Sequence, residues 1–252
     1  MYDDLARPPL RTAPLTRALA PDGWRVEVLA QTPSTNLVVA ERARKGEAAG
    51  LVVVAEQQTA GRGRLDRAWL SPARAGLTFS VLLRPTLPVT DWGWVPLLAG
   101  LAVGRAVKAR AEVDATVKWP NDVLIGDRKV CGVLAEVPAP GAVVVGIGLN
   151  VTTRRDELPV EAATSLQLEH AATTDRDTLL RSVLRELTDV MADPTAGRDS
   201  YRAACSPLGR RVRVELPDGA VEGTAERVDD DGRLVVDGTA YGAGDVVHLR
   251  TT

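Results

Sequence analysis

VDATVKWPNDVLIGDRKVCGVLAEVPAPGAVVVGIGLNV occupies residues 113–151. Four apolar, valine-rich runs (113–119, 123–125, 129–137 and 142–151) are separated by three or four residues drawn mostly from proline, asparagine, aspartate and glycine. Runs this short with turn-forming residues between them read as hairpin-connected strands, so the core is a mixed or antiparallel sheet. Working outward, 51–55 is a β-branched run and 77–83 another that ends at Arg84-Pro85, both read as strands, while 24–29 alternates as an edge strand does. Helical patterns flank them. Residues 35–43 have helix-forming composition, with Ser34 or Thr35 as cap and Gly46 as stop. Residues 92–107 are apolar on nearly every face, a buried helix in which Gly100 and Gly104 permit close approach, and 176–191 repeats leucine and valine at helical spacing. The fold class is therefore α+β, a mixed central sheet flanked by helices.

After Ser206-Pro207 the character changes. Residues 211–216, 219–228, 233–236 and 246–249 alternate, with turns at Pro217-Asp218-Gly219 and Asp230-Asp231-Gly232, the pattern of a small β-barrel. The chain divides into an irregular Pro/Arg-rich segment 1–24, a main domain 25–205 and a β domain 206–252. The segment ahead of the first motif is too short for a helix-turn-helix domain with its own core.

Composition narrows the chemistry. A net charge of -2 gives no global attraction to nucleic acid or membrane, so any anion site must be a local cluster of cations. Two histidines, His170 and His248, are too few for a histidine-rich metal site or a Ser-His-Asp triad, and are read as structural or exposed. Two cysteines, Cys131 and Cys205, without CxxC spacing are read as reduced thiols. There is no secretory leader pattern and no uncharged apolar run long enough to cross a bilayer, so the chain is expected in the cytoplasm.

EQQTAGRGRLDRAW, residues 56–69, follows the second strand. Gly61 and Gly63 allow close backbone approach, and Arg62, Arg64 and Arg67 carry forked, fixed-charge donors suited to phosphate. Trp69 either covers an adenine ring or anchors the loop. Neither standard nucleotide signature is present: GxxxxGK[ST] is absent, and GxGxxG fails at Asp66 and again at Val151. Lys118-Trp119-Pro120-Asn121-Asp122 sets a cation, an amide and a carboxylate at a turn. Lys129 begins KVCGVLAE at a strand mouth.

Taken in order, Ser34-Thr35-Asn36, the GRGR loop with Trp69, KWPND, KxxGxLxE and Gly146-Ile147-Gly148-Leu149-Asn150 resemble biotin protein ligases over residues 31–151. The resemblance implies the family's catalytic domain, like that of class II aminoacyl-tRNA synthetases and lipoate ligases, with an SH3-like C-terminal domain, in the type without an N-terminal DNA-binding domain. It implies that ATP activates biotin as biotinyl-adenylate, which is then passed to one lysine of a biotin carboxyl carrier protein or domain of an acyl-CoA carboxylase. Ser34, Thr35 and Asn36 would line the biotin pocket, with Gln58 and the backbone near Gly132 at the ureido ring. Arg62, Gly63 and Arg64 would close over the adenylate, and Lys129 would meet the biotin carboxylate and α-phosphate. Arg67 and Trp69 would hold ATP, and Asn121 and Asn150 would serve the nucleotide and its Mg²⁺, with no fixed protein metal site. Asp122 would orient or deprotonate the acceptor lysine, and Lys129, Arg64 and Asp122 form the catalytic set. The resemblance carries no nucleic-acid or membrane partner and fits a monomer or a ligand-dependent homodimer. Two departures stand out: Asp66 where a glycine is common, and Cys131 where alanine is usual. Lipoate or octanoate ligases and transferases, and biotin-responsive repressors, are the alternatives.

Overall fold

Alternation along the strands gives the main sheet two unlike faces. In the computed structural model, which describes residues 7–64, 67–216 and 219–248, the strands are β1 (Arg25–Leu29), β2 (Leu51–Ala55), β3 (Gly76–Leu83), β4 (Ala115–Lys118), β5 (Asp122–Ile125), β6 (Arg128–Ala139) and β7 (Ala142–Asn150). They pair in the order β1-β2-β3-β7-β6-β5-β4. β1 and β2 run parallel and the other neighbours antiparallel, which makes the sheet mixed, with β1 at an edge. Side chains at i and i+2 share a face. Leu77, Phe79 and Val81 of β3 and Val143, Val145, Ile147 and Leu149 of β7 join the large core, together with α3 (Trp94–Ala111) and α4 (Arg176–Ala192). On the other face Leu82, Val53 and Val144 meet Val39, Ala40 and Ala43 of α2 (Thr35–Arg44). Farther along that second face the side chains turn small and polar: Thr78, Ser80, Gly146 and Gly148. A cavity opens there.

Several elements differ from the sequence reading. Residues 1–24 were expected to be irregular, yet Thr12–Leu19 form α1 and Ala20–Asp22 a 3-10 turn. Leu15 and Leu19 lie four apart and are fully buried, and tertiary burial of that single stripe sustains a helix whose composition does not advertise one. The close approach assigned to Gly100 and Gly104 is not used: a Cβ at Gly100 would meet nothing within 4 Å, and one at Gly104 only valine methyls at 3.9 Å. Ser34 precedes α2 without a side-chain cap, whereas Asp175 caps α4 by accepting from the backbone of Asp177 and Thr178 at 3.2 and 3.4 Å. α5 (Pro194–Ala204) was missed because it buries only Gly197 and Tyr201 and so shows no apolar stripe.

The segment ahead of α1 is pinned by charge. Arg7 donates to Glu157 at 2.6 Å and to the Thr152 carbonyl at 2.8 Å. Glu56 accepts from the Leu10 amide at 2.6 Å and pairs with Arg176 at 2.7 Å, while Arg176 also donates to the Pro8 carbonyl at 2.7 Å. With side-chain exposures of 4% and 9%, Arg176 and Glu56 each depend on the other for compensation. Arg176→Met leaves a buried carboxylate with an amide donor but no compensating cation, and should lower unfolding free energy by about 3–5 kcal/mol in urea titrations. A loss under about 1 kcal/mol, the range of a solvated surface pair, would contradict that reading.

The second sheet contains β8 (Arg211–Leu216), β9 (Gly219–Val228), β10 (Leu234–Val236), β11 (Thr239–Tyr241) and β12 (Asp245–His248), antiparallel in the order β11-β10-β9-β8-β12. β11 carries no apolar run to read from sequence, because it is exposed apart from Tyr241, whereas the equally short β10 is fully buried. Pro217 and Asp218 of the expected turn, and Leu249, lie outside the described residues. Its Asp230–Gly232 turn is clamped to the main domain. Trp94 Nε1 donates to the Asp230 carbonyl at 2.7 Å and Trp119 Nε1 to the Gly232 carbonyl at 2.9 Å, and Arg202 pairs with the Asp230 carboxylate at 2.9 Å. Thus docked, β12 borders the cavity. Among the described residues no helix is long and apolar enough to cross a membrane.

Candidate active site

Glycines floor the cavity because the strands leave room above them. Gly132 of β6 and Gly148 of β7 are register partners. A Cβ at Gly148 would collide with the Trp69 indole, and one at Gly132 would come within 3.0 Å of the same ring and 3.2 Å of Lys129 Nζ. A Cβ at Gly146 would strike the Asn36 amide. The resulting space is about 520 Å³, within the roughly 300–1,000 Å³ of small-molecule sites.

One wall is the arginine loop. Gly61 is obligatory, since a Cβ would run into the Trp69 carbonyl and the Gln58 amide. The Trp69 amide donates to the Gly61 carbonyl at 2.8 Å and the Gly63 amide to the Arg67 carbonyl at 2.6 Å, with Arg62 bridged to Ala68. This narrow turn brings Arg62, Arg64 and Arg67 to the cavity. Leu65 and Asp66, including the departure noted at Asp66, lie outside the described residues.

The opposite wall comes from the β4–β5 turn and the start of β6. Asp122 Oδ1 is 2.6 Å from Lys129 Nζ and Oδ2 is 3.3 Å from Lys118 Nζ. The Oδ1 contact is ionic rather than an aligned hydrogen bond. Lys129 Nζ lies 5.6 Å from the Trp69 ring centroid, a cation–π distance. Arg64 donates to Asn121 Oδ1 at 3.4 Å and to the Gly244 carbonyl at 3.5 Å, and Arg67 pairs with Asp245. Five cationic side chains (three arginines, Lys118 and Lys129) and three carboxylates (Asp122, Glu215, Asp245) line the cavity of a chain whose net charge is -2. The local field therefore attracts anions. Burial lowers the pKa of Arg64, and the nearby Asp245 and Asp122 carboxylates oppose that shift.

The third side is the start of α2. Ser34, Asn36 and Gln58 border the cavity, but Thr35, expected to line it, does not. Its side chain turns inward: the Thr35 amide and hydroxyl hold Gln58 Oε1 at 2.8 and 3.0 Å, and Ser80 Oγ lies 2.7 Å from the same hydroxyl. Thr35 thus supports a wall residue. The remaining residues predicted for the site all border the cavity. Asn121 and Asn150 are fixed by Nδ2 bonds to the Val133 and Thr164 carbonyls, each at 2.9 Å.

Sequence reasoning missed others. Lys118, to which the resemblance assigns no role, borders the cavity. Glu215, Gly244 and Asp245 arrive only through docking of the second sheet, for which no local signal exists. Thr78 and Gly148 complete the floor beside the expected Gly132, and the only local trace of it is the pair Gly146 and Gly148, small residues two apart on one strand. No group of three or more His, Cys, Asp or Glu among the described residues could hold a metal. One carboxylate with two amides nearby suits a hard cation carried in by phosphate oxygens. Cys131 is fully buried and burial pushes its thiol pKa well up, so it is a packing residue and no nucleophile.

A cavity lined by loop arginines and a hairpin lysine, floored by glycine and bordered by the second sheet, suits an enzyme that binds an anionic small molecule. Residues 28–151 match the biotin/lipoate A/B protein ligase family and residues 208–249 the biotin protein ligase C-terminal domain. The chain belongs to the biotin/lipoate A/B protein ligase family. It is 45% identical over 265 residues to the biotin–[acetyl-CoA-carboxylase] ligase of Mycobacterium tuberculosis, covering 98% of each chain. It is 31% identical to the bifunctional ligase/repressor BirA of Bacillus subtilis, over 85% of this chain and 72% of that one. Among solved structures, Aquifex aeolicus biotin protein ligase in complex with biotin and ATP superposes with a TM-score of 0.75 at 30% identity, covering 90% of this chain and 99% of that one.

Proposed function

We infer that the chain is an ATP-dependent biotin protein ligase. One observation carries the reading: Arg64 from the loop and Lys129 from the hairpin border the same 520 Å³ cavity, whose other end offers Ser34, Asn36 and Gln58. Biotin is apolar apart from its ureido ring and carboxylate, so a few placed polar groups suffice to orient it.

In the first half-reaction a biotin carboxylate oxygen attacks the α-phosphorus of ATP and pyrophosphate leaves. Two anions must meet, so fixed cations lower the barrier, and we assign that neutralisation to Lys129 and Arg64. Arg67 and Trp69 hold the nucleotide, and Arg62 and Gly63 cover the product. Asn121 and Asn150 would sit beside Mg²⁺ carried in with the triphosphate, which would supply further charge neutralisation. In the second half-reaction the acceptor lysine's neutral amine attacks the acyl carbon, AMP departs, and Asp122 orients the amine or takes its proton. The M. tuberculosis relative's name supports a biotin carboxyl carrier of an acetyl-CoA carboxylase as acceptor. We place the reaction in the cytoplasm, without nucleic acid, in a monomer or a ligand-dependent homodimer.

Incubation with ATP, Mg²⁺, biotin and a carrier domain should add one biotin-sized mass to a single carrier lysine. Pyrophosphate–ATP exchange should respond to biotin and not to lipoate. Exchange with lipoate alone would move the chain to the other branch of its family.

A further inference from the structure

We propose that Glu136, a residue outside the cavity, is a positioning residue that holds the arginine loop in place through Arg62. Glu136 lies on β6 behind the wall, with its side chain 29% exposed. Its Oε1 is 3.3 Å from an Arg62 guanidinium nitrogen, and its Oε2 accepts from Asn36 Nδ2 at 2.7 Å. Asn36 Oδ1 in turn accepts from Ser80 Oγ at 2.6 Å, and Ser80 is fully buried. Thr35, the next member, holds Gln58 at the root of the loop. One carboxylate thus joins β6, the first turn of α2 and the loop: Thr35 holds the loop at Gln58, and Glu136, itself tied to Asn36, holds it at Arg62.

The residue type matters. A carboxylate has acceptors for two donors at once, and its charge strengthens the bond to a guanidinium. Glutamine in its place keeps the shape but must turn an NH₂ toward either Arg62 or Asn36 Nδ2, both donors, so one of the two ties is lost. The adenylate is a mixed anhydride that water destroys, so a loop with a weakened tether releases or exposes it sooner.

The proposal rests on the biotin ligase reading, and two readouts separate them. In the absence of carrier, E136Q should lose pre-formed biotinyl-adenylate about tenfold faster than wild type, with a melting temperature within about 2 °C. Arg62→Met, which also removes the guanidinium that covers the product, should lose the adenylate at least as fast, and E136Q with R62M should be little worse than R62M alone, because R62M already removes the tie that E136Q weakens. In the ligand-free protein, hydrogen exchange at the Gly63 and Trp69 amides, which close the loop turn, should quicken in E136Q by a similar factor. Faster exchange in a protein whose wild type makes no adenylate from biotin would overturn the ligase reading and keep the tether. Unchanged exchange, or losses that multiply in full in the double variant, would overturn the tether.

Discussion

Lys129→Ala and Arg64→Ala should each slow biotin-dependent pyrophosphate–ATP exchange by roughly 100-fold or more. The size follows from where the charges sit. Lys129 Nζ stands 2.6 Å from Asp122 and 5.6 Å from the Trp69 ring centroid, and its side chain is only 34% exposed, so water is a poor substitute for it. Arg64 is half-buried, reaches Asn121 from across the cavity, and keeps a desolvated guanidinium there with two carboxylates for support. Removing one fixed cation from a partly dry site that must neutralise developing phosphate charge costs about 3 kcal/mol, which is the stated factor. Lys129→Arg should not rescue, because a planar guanidinium needs space that Trp69 and Asp122 already fill. The two defects should differ in character: Lys129 is a compact point charge at the β6 start, while Arg64 also ties the loop to Asn121, so its loss should raise the ATP KM as well. Exchange within about threefold of wild type in both variants would remove these residues from the chemistry.

The parts of this molecule that could be read from sequence share a physical cause. Strands β3 to β7 announce themselves because valine, isoleucine and leucine must alternate or cluster to bury a sheet, and 113–151 spells four of them with their turns. Arg62, Arg64, Arg67 and Lys129 were legible because concentrated cations among glycines are costly for a core and useful for anions. α1 was not legible, since two buried leucines among prolines and arginines carry no period of their own. Thr35 is the one expected site residue that does not border the cavity. Sequence adjacency puts three polar residues at the start of α2, all buried, and Thr35 turns to Gln58 and Ser80 while Ser34 and Asn36 border the cavity, a division that only the packing decides. Asp245 and Glu215 were invisible because their position depends on the clamp at Trp94, Trp119 and Arg202, a contact between residues more than a hundred apart for the two indoles.

Gly148→Val should depress the adenylation step by about 100-fold while leaving the fold nearly intact. β7 already carries Val143, Val144 and Val145, and a β-branched residue suits a strand, so the backbone has no objection. The objection comes from above. A Cβ at Gly148 would lie 2.5 Å from Trp69 Nε1 and 2.7 Å from Cζ2, far inside contact, and valine adds two more carbons. The neighbouring strand cannot give way on one side, because Gly132 faces Gly148 directly and already lies near the same ring. The indole must therefore move by an ångström or more, taking with it the turn secured by the Trp69–Gly61 hydrogen bond of 2.8 Å and the arginines that turn presents. A displacement of that size at a reacting centre is enough for the predicted loss. Val145→Ala, on the same strand but facing the buried core, should show the inverse pattern. Stability should fall by about 1–3 kcal/mol, and activity per folded molecule should persist. If G148V exchanged pyrophosphate within a few-fold of wild type, the Trp69 indole would have no part in holding the nucleotide, and the glycine floor would be an accident of strand packing.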